Sequence, residues 1–142
     1  MVLFDATVWG KHYWFFLHTV AHSYPIHPNA VTKRKYYDLI TNFPLFIPDE
    51  KMGNRFAEML DKYPVTPYLD SRDSFTRWVN FIHNKYNVLL GKPEVSYLEG
   101  VQSYFKKYEP KPILLSEKLK IHKRTIFIAL FLVLFVLIYF LF

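Results

Sequence analysis

Three polar residues and a lysine, close together near the middle of the sequence, have the types and spacing of a ligand site. His83, Asn84 and Asn87 stand one, three and four positions apart, so on a helix they share one stripe. Gly91 then predicts the end of the helix, and Lys92 follows it. Imidazole and amide groups offer hydrogen bonds and an ammonium offers a point charge, so we expect this stripe to line a pocket. The neighbouring stripe is apolar and predicts a buried face: Phe75, Trp78, Ile82, Tyr86 and Leu89.

A second group of ring side chains lies near the amino terminus. Trp14 and His18 belong to an i, i+3, i+4, i+7 stripe that also contains Leu17 and Ala21, and Tyr24 follows before Pro25. Taken singly, a tryptophan on such a face is usually core, and a histidine is usually structural. Only the joint spacing of the two groups favours a ligand site over a plain helical core.

Metal and acid–base chemistry are not expected. His12, His18 and His22 share the first predicted helix, but no acidic residue or cysteine follows them at ligand spacing, so we predict no metal site. Asp70 and Asp73 are interpreted as charges that favour the start of a helix rather than as a catalytic pair.

Five helices are needed to position these residues. The apolar periodicity, with Pro, Asp, Asn and Ser at the boundaries, predicts helices over 5–23, 29–42, 49–62 and 71–90. A shorter fifth helix follows Pro93, and its apolar stripe is predicted to be Leu98, Val101 and Phe105. Short connections between them predict an all-α fold, a four-helix bundle plus a short fifth helix.

The end of the sequence predicts a membrane anchor. Residues 125–142 are apolar or uncharged and would span roughly 27 Å as a helix, close to the thickness of a bilayer core. We therefore expect a domain over 1–108, a Pro- and Lys-rich linker over 109–124, and a transmembrane helix over 125–142. The linker contains Lys118, Lys120, Lys123 and Arg124. This basic cluster and the lack of a signal peptide predict a single-pass, tail-anchored protein whose helical domain is cytoplasmic.

Composition excludes several classes of chemistry. The 142 residues include no cysteine, which excludes disulfides, thiolate nucleophiles and cysteine-bound metals. The formal net charge of +6 sits in good part beside the apolar tail, so a nucleic-acid partner is not expected.

The two groups together resemble the flavin-site motifs of the Erv/ALR family of FAD-linked sulfhydryl oxidases. The first motif is Trp14-x-x-Leu17-His18-Thr19-x-Ala21-x-x-Tyr24-Pro25, and the second is His83-Asn84-x-x-Asn87-x-x-x-Gly91-Lys92-Pro93. The similarity extends from about Trp9 to Tyr104. It implies FAD as the cofactor, held inside the bundle by Trp14, His18, Tyr24, His83, Asn84, Asn87 and Lys92.

The sequence departs from the family at its cysteines. The redox Cys-x-x-Cys aligns with Asp49 and Met52, and a structural disulfide of the family aligns with Asn80 and Tyr97. An Arg-Trp pair of the family aligns with Ser103 and Tyr104, which removes one cation from the cofactor site. Lys106 or Lys107, about one turn further on, is the candidate replacement.

Three functions remain open on the sequence. The leading one is a membrane-anchored, catalytically silent relative of the oxidases, a structural or interaction module of a virion or a viral assembly membrane. Its partners would be the lipid bilayer and other proteins, capsid proteins among them, and the resemblance implies a homodimer. The alternative is an FAD-dependent oxidoreductase that acts directly on a partner's thiols. The third is a helical adaptor that no longer binds FAD.

Overall fold

A computed structural model describes residues 4–110 and 115–141 of the chain. Within those ranges it is all-helical: α1 is Ala6–His22, α2 is Ala30–Asn42, α3 is Glu50–Lys62, α4 is Arg72–Leu89, α5 is Tyr97–Lys106 and α6 is Leu115–Leu141. Short 3-10 helices, Phe43–Phe46 and Thr66–Tyr68, lie in the α2–α3 and α3–α4 connections. The predicted all-α fold of five helices followed by an apolar helix is confirmed.

Side-chain caps explain why the helices of the bundle begin where they do. Each of α1 to α5 is preceded by an extended residue whose side chain accepts a hydrogen bond from a backbone N–H of the first turn. These residues are Asp5, Asn29, Asp49, Ser71 and Ser96. After α4, Gly91 adopts a positive φ of 69°, a conformation that glycine reaches without strain. The sequence predicted this stop.

The core is built around α4. Phe75, Trp78, Val79 and Ile82 are almost completely buried, and they pack with residues of α1, α2 and α3 in one cluster. Leu17 and Ala21, from the stripe predicted on α1, are buried, and α3 buries Phe56, Met59 and Leu60. The predicted inner position of Leu89 is wrong, because that side chain is exposed.

The apolar stripe predicted for α5 is wrong at two of its three positions, because Val101 is half-buried but Leu98 and Phe105 are exposed. Leu98 and Phe105 are 66% and 52% exposed, whereas Tyr104 is only 6% exposed. The reason is that polar contacts set the rotation of the helix: Asn84 binds the backbone of Val95 just before α5. The Tyr104 hydroxyl also donates to the Thr19 Oγ1 on α1, at 3.1 Å. Tyr104 therefore turns inward although Leu98 and Phe105 are more apolar.

Residues from Tyr108 onward form a second unit. It contains α6, which at 27 residues is about 40 Å long and is apolar enough to cross a membrane by length and composition. The helix begins at Leu115, so Lys118, Lys120, Lys123 and Arg124 lie on it. Of the predicted linker and anchor, residues 111–114 and Phe142 lie outside the described residues.

Candidate functional site

A cavity of about 410 Å³ lies beside α1, α4 and α5, with Met52 of α3 in its wall. That volume falls within the range of small-molecule sites. Six of the seven residues predicted to bind a ligand line it: Trp14, His18, His83, Asn84, Asn87 and Lys92. The structure therefore brings together residues of the two motifs, such as His18 and His83, which are 65 positions apart in sequence, because α1 packs against α4.

Three rings form the centre of the cavity wall. Trp14 stacks on His83, with ring centroids 4.0 Å apart and an angle of 9° between the planes. The His18 Nε2 lies 3.0 Å from the His83 Nδ1, so one ring donates a hydrogen bond to the other. Trp14 is itself held edge-on by Tyr86 and tilted against Phe56 of the core. Helices α1 and α4 thus each contribute flat rings to the same part of the cavity wall.

Both histidines of this pair are neutral at physiological pH. Burial lowers the pKa of His18 to about 4, and the charges of His22 and Lys107 add to the effect. Burial likewise lowers the pKa of His83 to about 3, with further contributions from His18, Lys107 and Lys92. A neutral imidazole can donate at one nitrogen and accept at the other, and the hydrogen bond between the rings requires that state in at least one of them.

The two asparagines have different roles. The Asn84 Nδ2 donates to the Val95 carbonyl at 2.7 Å, and its Oδ1 accepts from the Val95 N–H at 2.9 Å. Asn84 therefore holds the turn between α4 and α5 as well as lining the cavity. The Asn87 side chain lines the cavity and makes no hydrogen bond to any residue in the described part of the chain. Its amide remains available to a ligand.

The charged side chains that line the cavity are all positive in the described part of the chain. Lys11, Lys92 and Lys107 line it, and no aspartate or glutamate is among the described lining residues. Over residues 4–110 and 118–141, none of these three lysines forms an ion pair with a carboxylate. Three ammonium groups around an aromatic cavity favour a ligand that is both planar and anionic.

Tyr24, the seventh predicted residue, is placed in the core rather than in the cavity. It is completely buried, and its hydroxyl donates to the Leu69 carbonyl at 2.8 Å. Its ring packs edge-on against Tyr36 and Phe75. In this structure Tyr24 joins the end of α1 to the loop before α4.

Asp49 and Met52, which align with the family's redox cysteines, are joined by a hydrogen bond. The Asp49 Oδ1 accepts from the Met52 N–H at 2.8 Å and so caps α3. Met52 is half-buried, packs against the core and lines the cavity. Asp49 thus serves as a helix cap, and Met52 fills apolar space between the core and the cavity.

Polar and aromatic contacts join α4 to α5 where the family's structural disulfide would lie. The Tyr97 and Thr76 hydroxyls are 2.9 Å apart, and the Arg77 guanidinium lies 4.4 Å from the Tyr97 ring centre. Asn80 sits against Gly100, where a Cβ would come within 2.6 Å of the Asn80 Oδ1.

Sequence reasoning missed Lys11 as a lining residue. Lys11 precedes Trp14 by three positions and His18 by seven, so helical periodicity places it on the same face. That signal was present in the sequence. No group of three metal-ligating side chains occurs in the part of the chain that the structure describes.

Comparison with known proteins identifies relatives over the helical domain. The model of the Erv1/Alr family matches residues 11–108. A mimivirus protein named "Probable FAD-linked sulfhydryl oxidase", from Acanthamoeba polyphaga mimivirus, is 36% identical over 104 residues, which cover 72% of this chain and 73% of that protein. The mitochondrial FAD-linked sulfhydryl oxidase erv1 of Schizosaccharomyces pombe is 32% identical over 89 residues, 63% of this chain but only 49% of the relative. The chain thus spans about half the length of that cellular relative.

The fold is similar to that of a solved flavoprotein domain. The FAD-binding domain of Erv1 from Saccharomyces cerevisiae superposes with a TM-score of 0.64 at 27% identity, over 74% of this chain and 94% of that structure.

Proposed function

The chain belongs to the Erv1/Alr family, and on that premise we propose that its helical domain binds FAD in the cavity as a membrane-anchored, catalytically silent member of the family. The observation that carries the proposal is the cavity wall, in which flat rings and three lysines occur without a single described carboxylate. FAD is planar at its ring systems and anionic at its diphosphate. The residues present therefore fit this cofactor.

Each cavity residue has a role that its chemistry allows. Trp14 and His83 would offer their ring faces to a flat ring system of the cofactor. The Asn87 amide has both a donor and an acceptor to give, and Lys92 would hold the diphosphate as a point charge. When bound, FAD would supply two-electron redox chemistry.

Catalytic silence follows from the residues at Asp49 and Met52. In the family a substrate dithiol reduces a disulfide of the enzyme, whose thiolate then reacts with the flavin. A carboxylate cannot form a disulfide, and a thioether has no proton to lose and so cannot become a thiolate nucleophile. With no cysteine in the sequence, no other residue of this chain can take over that step.

The membrane anchor is proposed from α6. A helix that is apolar on nearly every face from Thr125 onward gains most from insertion in a bilayer. The basic residues Lys118, Lys120, Lys123 and Arg124 precede that apolar part, and by the positive-inside rule we expect residues 1–108 to lie in the cytoplasm. Similarity to a mimivirus protein supports a viral setting, in which this domain would meet other proteins at an assembly membrane or virion.

The cofactor is tested on the full chain purified in detergent. The protein should carry the visible absorbance of a flavin. The variants Trp14→Ala and His83→Ala should each lose flavin while keeping their helical circular dichroism, whereas His27→Ala, at an exposed position, should retain it. Flavin retained by both cavity variants would overturn the assignment of the site.

Catalytic silence is tested by oxygen consumption with dithiothreitol. The full chain should oxidise this dithiol no faster than an equal concentration of free FAD. A rate well above that of free FAD, abolished by Trp14→Ala, would establish instead the alternative of an oxidoreductase acting directly on thiols.

A further inference from the structure

We propose that Lys107, just after the end of α5, is the second cation of the cofactor site and holds the FAD diphosphate together with Lys92. It takes the role of the cation that Ser103 does not supply. This inference rests on the proposed function of the cavity.

Lys107 and the preceding Lys106 differ in their relation to the cavity. Lys106 and Lys107 are both exposed at the end of α5, yet only Lys107 lines the cavity. The Lys107 Nζ lies 4.9 Å from the centre of the Phe15 ring on α1. A cation–π contact of this kind biases a flexible side chain towards the cavity.

The position of Lys107 is set by a buried residue one turn earlier. Tyr104 precedes it by three positions, so the two side chains lie on the same face of the helix end. Tyr104 is fixed against α1 by its hydrogen bond to Thr19 and by stacking on Phe15, with ring centroids 5.5 Å apart. The inward rotation of Tyr104 therefore brings Lys107 to the cavity and leaves Lys106 outside it.

Lys92 and Lys107 both act electrostatically on the half-buried histidine pair. The charge of Lys107 helps to lower the pKa of both His18 and His83, and Lys92 acts on His83 as well. Two ammonium groups of the cavity wall thus repel positive charge from the histidine pair. A diphosphate between them would neutralise that repulsion at short range, where Coulomb interactions are strongest.

A purely structural role for Lys107 predicts something different. A cation near the end of a helix stabilises the helix dipole, and Lys106 can do this as well as Lys107. Lys106→Gln is therefore a matched control for Lys107→Gln, because it removes the same charge one position away. Lys107→Arg keeps the charge and should restore binding.

The test measures binding of FAD and of riboflavin, which lacks phosphate, to the full chain in detergent. Quenching of tryptophan fluorescence can report binding because Trp14 lines the cavity. Lys107→Gln should weaken FAD binding by about 10- to 100-fold, the usual effect of losing a hydrogen bond to a charged group, and leave riboflavin binding unchanged. Lys106→Gln should match the unchanged chain for both ligands.

Two results would overturn this inference alone: unchanged FAD affinity in Lys107→Gln, or an equal loss of FAD and riboflavin affinity in that variant. Failure of the unchanged chain to bind either ligand would instead overturn the proposed function, and this inference with it. The two failures are thereby distinguishable.

Discussion

The neutral pair of His18 and His83 predicts that the helical domain loses stability as the pH falls below about 6.5. Both histidines have a pKa in the folded state, about 4 and about 3, that lies below the ordinary value of 6.5. Above pH 6.5 the folded and unfolded chains are both unprotonated at these sites, so neither site affects stability there. Below pH 6.5 the unfolded chain binds protons that the folded chain does not, and unfolding becomes more favourable.

The size of the effect follows from the two pKa values. At pH 5.0, about 1.5 units below the ordinary histidine pKa, each site costs about 2 kcal/mol, since one unit corresponds to about 1.4 kcal/mol. The two sites together are thus expected to remove up to about 4 kcal/mol between pH 7.5 and pH 5.0. That is a large share of the roughly 5–15 kcal/mol that stabilises a typical domain. The loss should stop growing once the pH passes below the folded-state values.

Denaturant unfolding of the full chain, followed by tryptophan fluorescence, measures this directly. Trp9, Trp14 and Trp78 are the only tryptophans in the sequence, so the signal reports on the helical domain rather than on α6. His83→Gln should remove about half of the decrease between pH 7.5 and pH 5.0, while His27→Gln, at an exposed position, should leave it unchanged. The assignment of a neutral histidine pair would be refuted if the unchanged chain were equally stable at both pH values. It would also be refuted if His83→Gln lost as much stability between pH 7.5 and pH 5.0 as the unchanged chain does.

Three further predictions concern stability and anchoring. Asn84→Ala should cost about 1–2 kcal/mol because it leaves both backbone groups of Val95 without their partner, whereas Asn87→Ala should change stability by less than about 0.5 kcal/mol; chemical unfolding compares the two. Gly53→Ala should destabilise by about 1–3 kcal/mol because its Cβ would lie 2.8 Å from a backbone oxygen, whereas Gly10→Ala, with nothing within 4 Å, should stabilise α1 by up to about 1 kcal/mol. Deletion of 125–142 should release the protein from the membrane fraction on centrifugation, and continued sedimentation with membranes would contradict the anchor.

Helix boundaries and the approach of the two motifs could be predicted because they depend on local signals. Asp49 and Ser71 cap their helices in the structure as their residue types predict. The i, i+3, i+4 stripes then decide which sides of α1 and α4 can meet. Six cavity residues follow from that periodicity together with the family resemblance.

The rotation of α5 could not be predicted, because tertiary hydrogen bonds decide it. By hydrophobicity alone, Leu98 and Phe105 should be buried and Tyr104 should sit at the edge. Tyr104 gains a partner for its hydroxyl on α1, and Asn84 fixes the chain just before the helix. Neither contact leaves a periodic signal in the sequence, and the lining role of Lys107 depends on both.

Contacts between α4 and α5 hold the two helices together at the positions that align with the family's structural disulfide. A native disulfide typically contributes about 2–4 kcal/mol. Here the Tyr97–Thr76 pair supplies a hydrogen bond, and the Arg77 guanidinium stacks on the Tyr97 ring. At about 1 kcal/mol for the hydrogen bond and about 0.5–1 kcal/mol for the cation–π contact, these interactions offset part of what such a bridge would contribute. Because none of them depends on an oxidised thiol, the junction that positions Tyr104 and Lys107 should keep its stability in a reducing compartment, where a disulfide would be lost.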